Sequence, residues 1–403
     1  MAAAIMLARR GARVAVLERD PQHPIDVDHA WRTWHRPGVP QLRHVHSFSA
    51  AAHAVLAREL PDVLRAITAN GARIVPLTVP GGDQSLALGH VVRCRRTTLE
   101  HALSEAAHES GVVVRRNVAV TAVAVAGGTV QGVHTANGGT VPAELVVDCA
   151  GQAATRSLIP RTRRPIDLSY MTAWYHLRRP ESVPPQGIRG NTHACRIALT
   201  PADGPWVSIT VIARSRHCGP APLTDRHEFE SVVTTVSEIA DVLAAGSATA
   251  IGSVRFAPRL VNAISTALLP GWDGPRGLIP LGDAAVTTNP VVARGVGLGL
   301  ITATNLCRAL ETTDPHHTYL ARTSVDAGRW FADSIDHGQF IELQLRAAGS
   351  EELSLAEAER LAELLAGRYK VPTTSEEVAM HLRQVNNLDD LDTTDEPTTE
   401  ATQ

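Results

Sequence analysis

A chain of 403 residues, 44% of them hydrophobic, is long enough for two or three domains around a large buried core. A formal charge of −3 gives no electrostatic case for nucleic acid or an anionic membrane surface, and no apolar run reaches spanning length. Five cysteines (Cys94, Cys149, Cys195, Cys218 and Cys307) include no C-x-x-C pair, and the chain opens without a secretory signal, so free thiols in a reducing cytoplasm are expected.

The opening Met1 to Gly11 reads as the back half of a helix stopped at Gly11. Arg13 to Glu18 follows as a short apolar strand ending in an acid, then Arg19-Asp20-Pro21. In a dinucleotide-binding βαβ unit the strand after the first helix ends in an Asp or Glu that bonds a ribose hydroxyl, and Glu18 stands at that place. The preceding strand and its G-x-G-x-x-G loop are missing. Two accounts stand: the sequence starts downstream of the natural start, or the protein has lost its phosphate cradle.

Pro37 to His46 forms a loop containing Gln41, His44 and His46. Imidazoles two apart share one face of an extended segment and can hold a metal, but no third ligand follows at a suitable spacing, so no metal site is expected. Hydrogen bonding within the loop, or proton transfer and substrate orientation by His44 or His46, are the other readings. Trp31, Trp34 and Trp174 suit either a pocket wall or the core.

Residues 47–70 have helical spacing up to Asn70-Gly71, and 72–93 suggest short strands. Arg96-Thr97-Thr98-Leu99-Glu100 opens a helix running to His108, and Val112-Val113-Val114 follows as a strand. Residues 118–141 read as a β-meander with turns at Gly127-Gly128 and Asn137-Gly138-Gly139. Leu145 to Asp148 is the continuous apolar run of a parallel strand covered on both faces, and Ala150-Gly151 lets backbone approach closely after it. Strand-like runs at 168–178, 192–199 and 205–214 and a helix at 226–245 indicate an antiparallel sheet with helical cover. Gly277 to Leu281 is an apolar strand ending in Gly282-Asp283, after which Pro290 is expected to open a helix containing Arg294, Gly295 and Val296. Helices at 295–311, 316–345 and 351–367 precede an acidic, apolar-poor tail.

These segments resemble the FAD-dependent monooxygenases built like aromatic hydroxylases, which share the glutathione-reductase-2-like fold. Gly282-Asp283-Ala284, Asn289-Pro290 and Arg294-Gly295 recur in order at the family's spacing, with Ala293 where a glycine is usual. The resemblance implies that Asp283 bonds the flavin ribityl chain, and that the helix start at Pro290, Arg294, Gly295 and Val296 faces the pyrimidine ring. It implies further that Glu18 and Arg19 lie at the adenosine end and that Arg96 reaches the ribityl or phosphate region, against the plain reading of Arg96 as a surface residue at a helix start. Gly151 then approaches FAD, and the loop with Gln41, His44 and His46 lies near the isoalloxazine. The departures Gln152-Ala153-Ala154 weaken any assignment of the reductant.

The expected fold is α/β (α+β): a Rossmann-like FAD-binding domain with a truncated N-terminus plus an antiparallel-sheet substrate domain. The expected boundaries are 1–75, 91–165 and 271–345 for the FAD-binding domain and 76–90 with 166–270 for the substrate domain. A helical extension at 346–385 and a disordered tail at 386–403 complete the chain. The implied function is hydroxylation or epoxidation of a small apolar or aromatic metabolite. In the family, FAD is reduced by NAD(P)H and oxygen is transferred through a C4a-(hydro)peroxide, the protein supplying position, dryness and hydrogen bonds. A flavin halogenase would use an active-site lysine, and Lys370, the sole lysine, is far from the flavin motifs. A flavin reductase or dehydrogenase of the same fold, and a non-enzymatic member without FAD, are the remaining alternatives. A small-molecule substrate is the expected partner; the sequence does not set the oligomeric state.

Overall fold

The structure, a computed structural model, describes residues 1–21, 26–81, 84–151, 158–192, 194–215, 222–244, 246–258, 260–349 and 351–365. The acidic tail, Lys370, Cys218 and the Gln152-Ala153-Ala154 departures lie outside the described residues.

Two pairs of short parallel strands carry the nucleotide-type layer. Ala15–Glu18 pairs with Val113–Arg116, and Val146–Asp148 pairs with Leu278–Pro280. Pleat alternation identifies them as parts of one layer, because successive side chains point to opposite faces. Val16, Val114, Val147 and Ile279 pack on a cluster containing Ile5, Leu56, Leu300 and Leu306. Leu17, Val146 and Leu278 pack instead on a cluster with Val130 and Val133. Among the described residues no bridge joins Ala15–Glu18 to Val146–Asp148, and residues of both strands line the same cavity.

Helices Ala2–Ala8, Arg96–Glu109 and Gly295–Ala309 cover the first face of this layer. The second is covered by the expected meander, Val120–Ala126, Thr129–Thr135 and Thr140–Pro142, whose first turn needs positive φ at Gly127 and Gly128. The single helix expected over 47–70 is instead a two-residue strand, Ser47–Phe48, and two helices, Ala50–Glu59 and Pro61–Ala69. Pro61 causes the break. It has no N–H to donate and keeps Leu60 out of the helical region, at φ −138°, ψ 54°. Ser47–Phe48 then joins the Arg73–Gly81 and Gln84–Arg93 hairpin in a three-stranded antiparallel sheet.

A five-stranded antiparallel sheet runs in the order Ile188–Asn191, Cys195–Pro201, Trp206–Ala213, Ser169–Leu177 and Ala248–Ala257. One face presents Met171, Tyr175, Ile197, Leu199, Ile209 and Val211 to Phe229, Val233 and Ile239. Each buried aliphatic there is worth about 1.5–3 kcal/mol, and a slip of one residue would turn all of them outward, so the register is firmly set. The cover is two helices, Arg226–Val233 and Ser237–Leu243, where the spacing suggested one. The strands Ile188–Asn191 and Ala248–Ala257 escape a sequence reading because Gly190 and Gly252 interrupt any apolar alternation.

The 34-residue helix Pro315–Ala348 links the two regions; Asp314 caps it and Pro315 occupies its first position. Tyr319 near its start donates a hydrogen bond to the Pro280 carbonyl under the parallel layer. Ile341 and Leu345 near its end pack with Leu168 and Tyr170 beside the five-stranded sheet. No helix among the described residues is long and apolar enough to cross a membrane.

Candidate functional site

The two regions enclose one continuous cavity of about 3160 Å³. Glu18, Arg19, Gln41, His44, His46, Arg96, Gly151, Gly282, Asp283, Pro290, Arg294, Gly295 and Val296 all line it, although they come from segments spread over nearly 280 residues.

Asp283 sits at the end of the Leu278–Pro280 strand, in a short 3-10 turn that Gly282 enters at φ 62°. The turn lies close to the following helix: a Cβ on Gly282 would stand 3.9 Å from Gly299 Cα, and one on Gly295 would stand 3.6 Å from Asp283 Oδ1. Burial pushes the Asp283 carboxyl above the ordinary range, while Arg96 and Arg161 pull against that shift. Among the described residues its side chain has only the long 3.5 Å approach of Gln41 Nε2, while its backbone carbonyl accepts from Arg161 and Thr287. The carboxylate therefore keeps acceptor capacity toward the cavity.

The helix beside it departs from expectation at its start. Pro290 opens a 3-10 turn, Pro290–Val292; Ala293 then takes a left-handed conformation at φ 55°, and the α-helix begins at Gly295. Arg294, at the N-cap, makes no side-chain cap; its guanidinium pairs with Asp333 and lies 5.0 Å from the Trp330 ring centroid. The first-turn N–H groups at Gly295 and Val296 are thus left for other acceptors, as an electron-rich ring edge requires.

Glu18 is already engaged. Arg36 binds Glu18 at 2.5 Å, Asp20 at 2.9 Å and Glu100 at 2.5 Å, while Arg96 bonds Glu100 at 2.5 Å. Burial alone would raise the Glu100 carboxyl, but Arg96 and Arg36 outweigh it and hold it below the ordinary range. Arg96 is therefore held by this network at the cavity wall. Arg36 carries no motif signal and was not anticipated. Arg19 is exposed, its guanidinium against Gly38, where a Cβ would meet Nη2 at 2.5 Å.

Gly151 adopts φ 71° next to Asp283, as a close backbone approach requires. Before it, Asp148 is buried; Oδ1 accepts from the Ala150 N–H at 2.9 Å and Oδ2 has no partner among the described residues. Its carboxyl is pushed up by burial. The sequence reading ends a strand at Asp148 without giving it a role.

The histidines face the other side of the cavity. His44 is buried, its Nδ1 3.0 Å from Thr172 Oγ1 and its ring edge-on to Tyr170 at 4.5 Å. Burial, then Arg255, brings it down to about 4. His46 Nδ1 donates to the His44 carbonyl at 2.9 Å, which leaves Nε2 as the acceptor nitrogen. Burial, then Arg96, brings His46 down to about 3. Both imidazoles are neutral near pH 7, and no metal-competent group of three ligands occurs among the described residues. Trp31 and Trp174 pack edge-on at 4.8 Å and belong to the core, while the buried Trp34 borders the cavity. Trp174 Nε1 donates to the Arg43 carbonyl at 2.8 Å and ties the histidine loop to the sheet.

The residues present suit FAD. Asp283 and Asp148 hold buried or half-buried carboxylate oxygens short of donors, which ribityl hydroxyls supply, and an uncapped helix start lies next to them.

The chain matches the FAD binding domain family over residues 1–313. Among solved structures it is similar to PqsL of Pseudomonas aeruginosa, described as a probable FAD-dependent monooxygenase, at 15% identity, covering 91% of this chain and 96% of that one with a TM-score of 0.63. It is also similar to 2-methyl-3-hydroxypyridine-5-carboxylic acid oxygenase (16% identity, 92% and 96% coverage, TM-score 0.63) and to the flavin-dependent brominase Bmp2 (16%, 91% and 96%, 0.61). No curated protein gives a significant match. At these identities the structural likeness shows the fold, and the match across 313 of 403 residues shows the family: the chain belongs to the FAD binding domain family.

Proposed function

We propose that this protein is a FAD-dependent monooxygenase that inserts oxygen into a small organic substrate, with NAD(P)H as the electron source. The observation that carries the reading is the shared cavity: flavin-type residues line one side, and the polar face of an antiparallel sheet with two neutral histidines lines the other. FAD, when bound and reduced, supplies the activation of oxygen.

The chain's residues contribute position and polarity. Asp283 accepts a ribityl hydroxyl, and the Gly295 and Val296 N–H groups stabilise negative charge at the ring edge. Gln41 and Gly151 border that end. Arg96, held by Glu100, places a fixed positive charge beside the ribityl and phosphate region, with Glu18 and Arg19 further out. His46 Nε2 is a neutral acceptor able to take a hydrogen bond from a substrate hydroxyl and orient it, and His44, tied to Thr172, holds the loop in place. The four described cysteines are free thiols, which suits a cytoplasmic enzyme.

The test is FAD titration followed by NAD(P)H-dependent oxygen uptake. Flavin binding with oxygen-independent NAD(P)H oxidation would make the protein a reductase, and no detectable flavin binding even at saturating FAD would remove the enzymatic reading.

A further inference from the structure

Cross-strand register sorts the five-stranded sheet into two unlike faces. Arg189 pairs with Ala198, Asn191 with Arg196, and Ala198 with Thr210, so these five side chains share the face opposite the apolar cluster. All five line the cavity. The acidic residues lining the cavity (Glu18, Asp20, Glu100, Glu144, Asp148 and Asp283) all come from the nucleotide-type layer and its helices. From residues 166–270 the charged side chains lining it are arginines alone among the described residues, Arg189 and Arg196.

A third arginine joins them from a different sheet. Arg93 lines the cavity at the end of its strand, opposite Ser47 on one side and Arg73 on the other. It is only 6% exposed; Nη1 donates to the Pro185 carbonyl at 2.6 Å, and Nε is buried without a partner among the described residues. Among the described residues no carboxylate pairs with Arg93, Arg189 or Arg196. Arg196 is held by the neutral Gln344 amide and lies 5.8 Å from the Phe340 ring centroid. Arg73, the cross-strand neighbour of Arg93, spends its donors on the Ala202 and Gly204 carbonyls. Two arginines directly opposite on adjacent strands repel. Burying a guanidinium without a counter-charge is costly, and an anion arriving at the wall removes that cost.

We propose that Arg93, Arg189 and Arg196 form an oxyanion-binding wall that selects a substrate bearing a carboxylate, with the Thr200 and Thr210 hydroxyls completing its polar lining. This rests on the monooxygenase reading for the word substrate, and it narrows that reading from a small organic substrate to an organic acid. The planar guanidinium fork matches a carboxylate in two-point contact, which a neutral amide of equal shape cannot reproduce. Burial, then Arg189 and Arg73, depresses Arg93 to about 10, in keeping with a site short of negative charge.

The experiment compares benzoate with its neutral isostere benzamide by calorimetric titration into the full chain, with FAD affinity followed in parallel by flavin fluorescence. Benzoate is expected to bind at least tenfold more tightly. Arg189→Gln, at an exposed position, is expected to cut that preference about threefold, and Arg93→Met combined with it to abolish the preference while FAD affinity stays unchanged. Equal binding of the two probes, or a preference surviving both substitutions in folded protein, overturns the wall. Inorganic phosphate displacing benzoate at lower concentration than benzoate itself needs would assign the arginines to a nucleotide phosphate and overturn the carboxylate assignment. A benzoate preference with no detectable flavin binding even at saturating FAD sustains the wall and sinks the flavin reading; FAD binding without a preference does the reverse.

Discussion

The Arg36 guanidinium bonds Glu18 at 2.5 Å and Glu100, 64 residues further on, at the same distance, so one cation joins the end of the Ala15–Glu18 strand to the helix that carries Arg96. Glu18, the candidate for a ribose contact, is thus a residue whose position depends on a neighbour.

Arg36→Met should therefore loosen two candidate cofactor residues at once. It leaves Glu18, Asp20 and Glu100 mutually repelling and is expected to cost on the order of 2–3 kcal/mol, less than a fully buried pair because the side chains retain some exposure. The sign of the pH dependence follows from Glu100, whose folded-state carboxyl is held low. A depressed acid contributes stability above its unfolded pKa and loses it as pH falls through the folded value. The gap between wild type and variant in urea unfolding should be widest at pH 7 and close below the ordinary carboxylate range; a pH-independent gap would mean that lost packing of the guanidinium, 5.1 Å from the Trp34 ring centroid, dominates.

The buried histidines act in the same acid direction for a different reason. Unfolded histidine titrates near 6.5, but His44 and His46 are held at about 4 and about 3, so the unfolded chain binds more protons between those limits. Stability must fall as pH drops below about 6.5, by about 2 kcal/mol per histidine at pH 5 at 1.36 kcal/mol per unit. Melting curves at pH 7 and pH 5 should show this loss, and His44→Asn, which keeps a donor toward Thr172, should reduce it by about half. An equal loss in the variant would place the acid sensitivity elsewhere.

The two ends of the site were not equally legible. Asp283, Gly282 and Gly295 could be found because a strand, a tight turn and a helix start impose fixed spacings and glycines on one short segment. Arg36 and Arg93 could not, since Arg36 gathers carboxylates 16, 18 and 64 residues away that share no motif with it, and Arg93 acts through the lack of a partner at Nε among the described residues. The helix break at Pro61 was readable and was overridden by the apolar spacing on either side of it. The start of the later helix at Gly295 was misplaced to Pro290 because a proline suits the first position of a 3-10 turn as well as that of an α-helix. Strands interrupted by Gly190 and Gly252 gave no periodic signal at all.

Asp283→Ala separates cofactor binding from folding. Among the described residues the carboxylate has only a 3.5 Å contact with Gln41, and its burial disfavours the ionised form, so its removal should leave the melting temperature unchanged or slightly raised. Loss of a charge-assisted bond to a ribityl hydroxyl, about 1.5–3 kcal/mol, should weaken FAD binding at least tenfold. Unchanged affinity with a lowered melting temperature would assign Asp283 to the fold.

Ala293 stands at φ 55°, where a Cβ costs roughly 1–2 kcal/mol. Ala293→Gly relieves that strain but adds about 0.5–1 kcal/mol of backbone entropy to the unfolded chain, so a net gain of up to about 1 kcal/mol is expected. Thermal unfolding should show a small rise in melting temperature. A fall would mean that the left-handed turn before Gly295 is not retained in solution.

The final prediction concerns the two parallel strand pairs. Val16 and Val147 lie on the same cluster, Leu17 and Val146 share the other, and yet the strands carrying them are not bonded to each other among the described residues. Edges of this kind in a layer covered on both faces leave backbone donors and acceptors without ladder partners. Met1 itself lines the cavity, together with residues of both strand pairs. An extension of about 15 residues, an apolar strand followed by a glycine-rich turn, should join the pairs into one sheet and place loop N–H groups where a pyrophosphate binds. FAD is expected to bind weakly to the 403-residue chain and at least tenfold more tightly to the extended one, with slowed amide exchange at Val16 and Val147. A scrambled extension of the same composition is the control. Tight FAD binding by the 403-residue chain, or equal protection by both extensions, would show that the layer is complete without another strand.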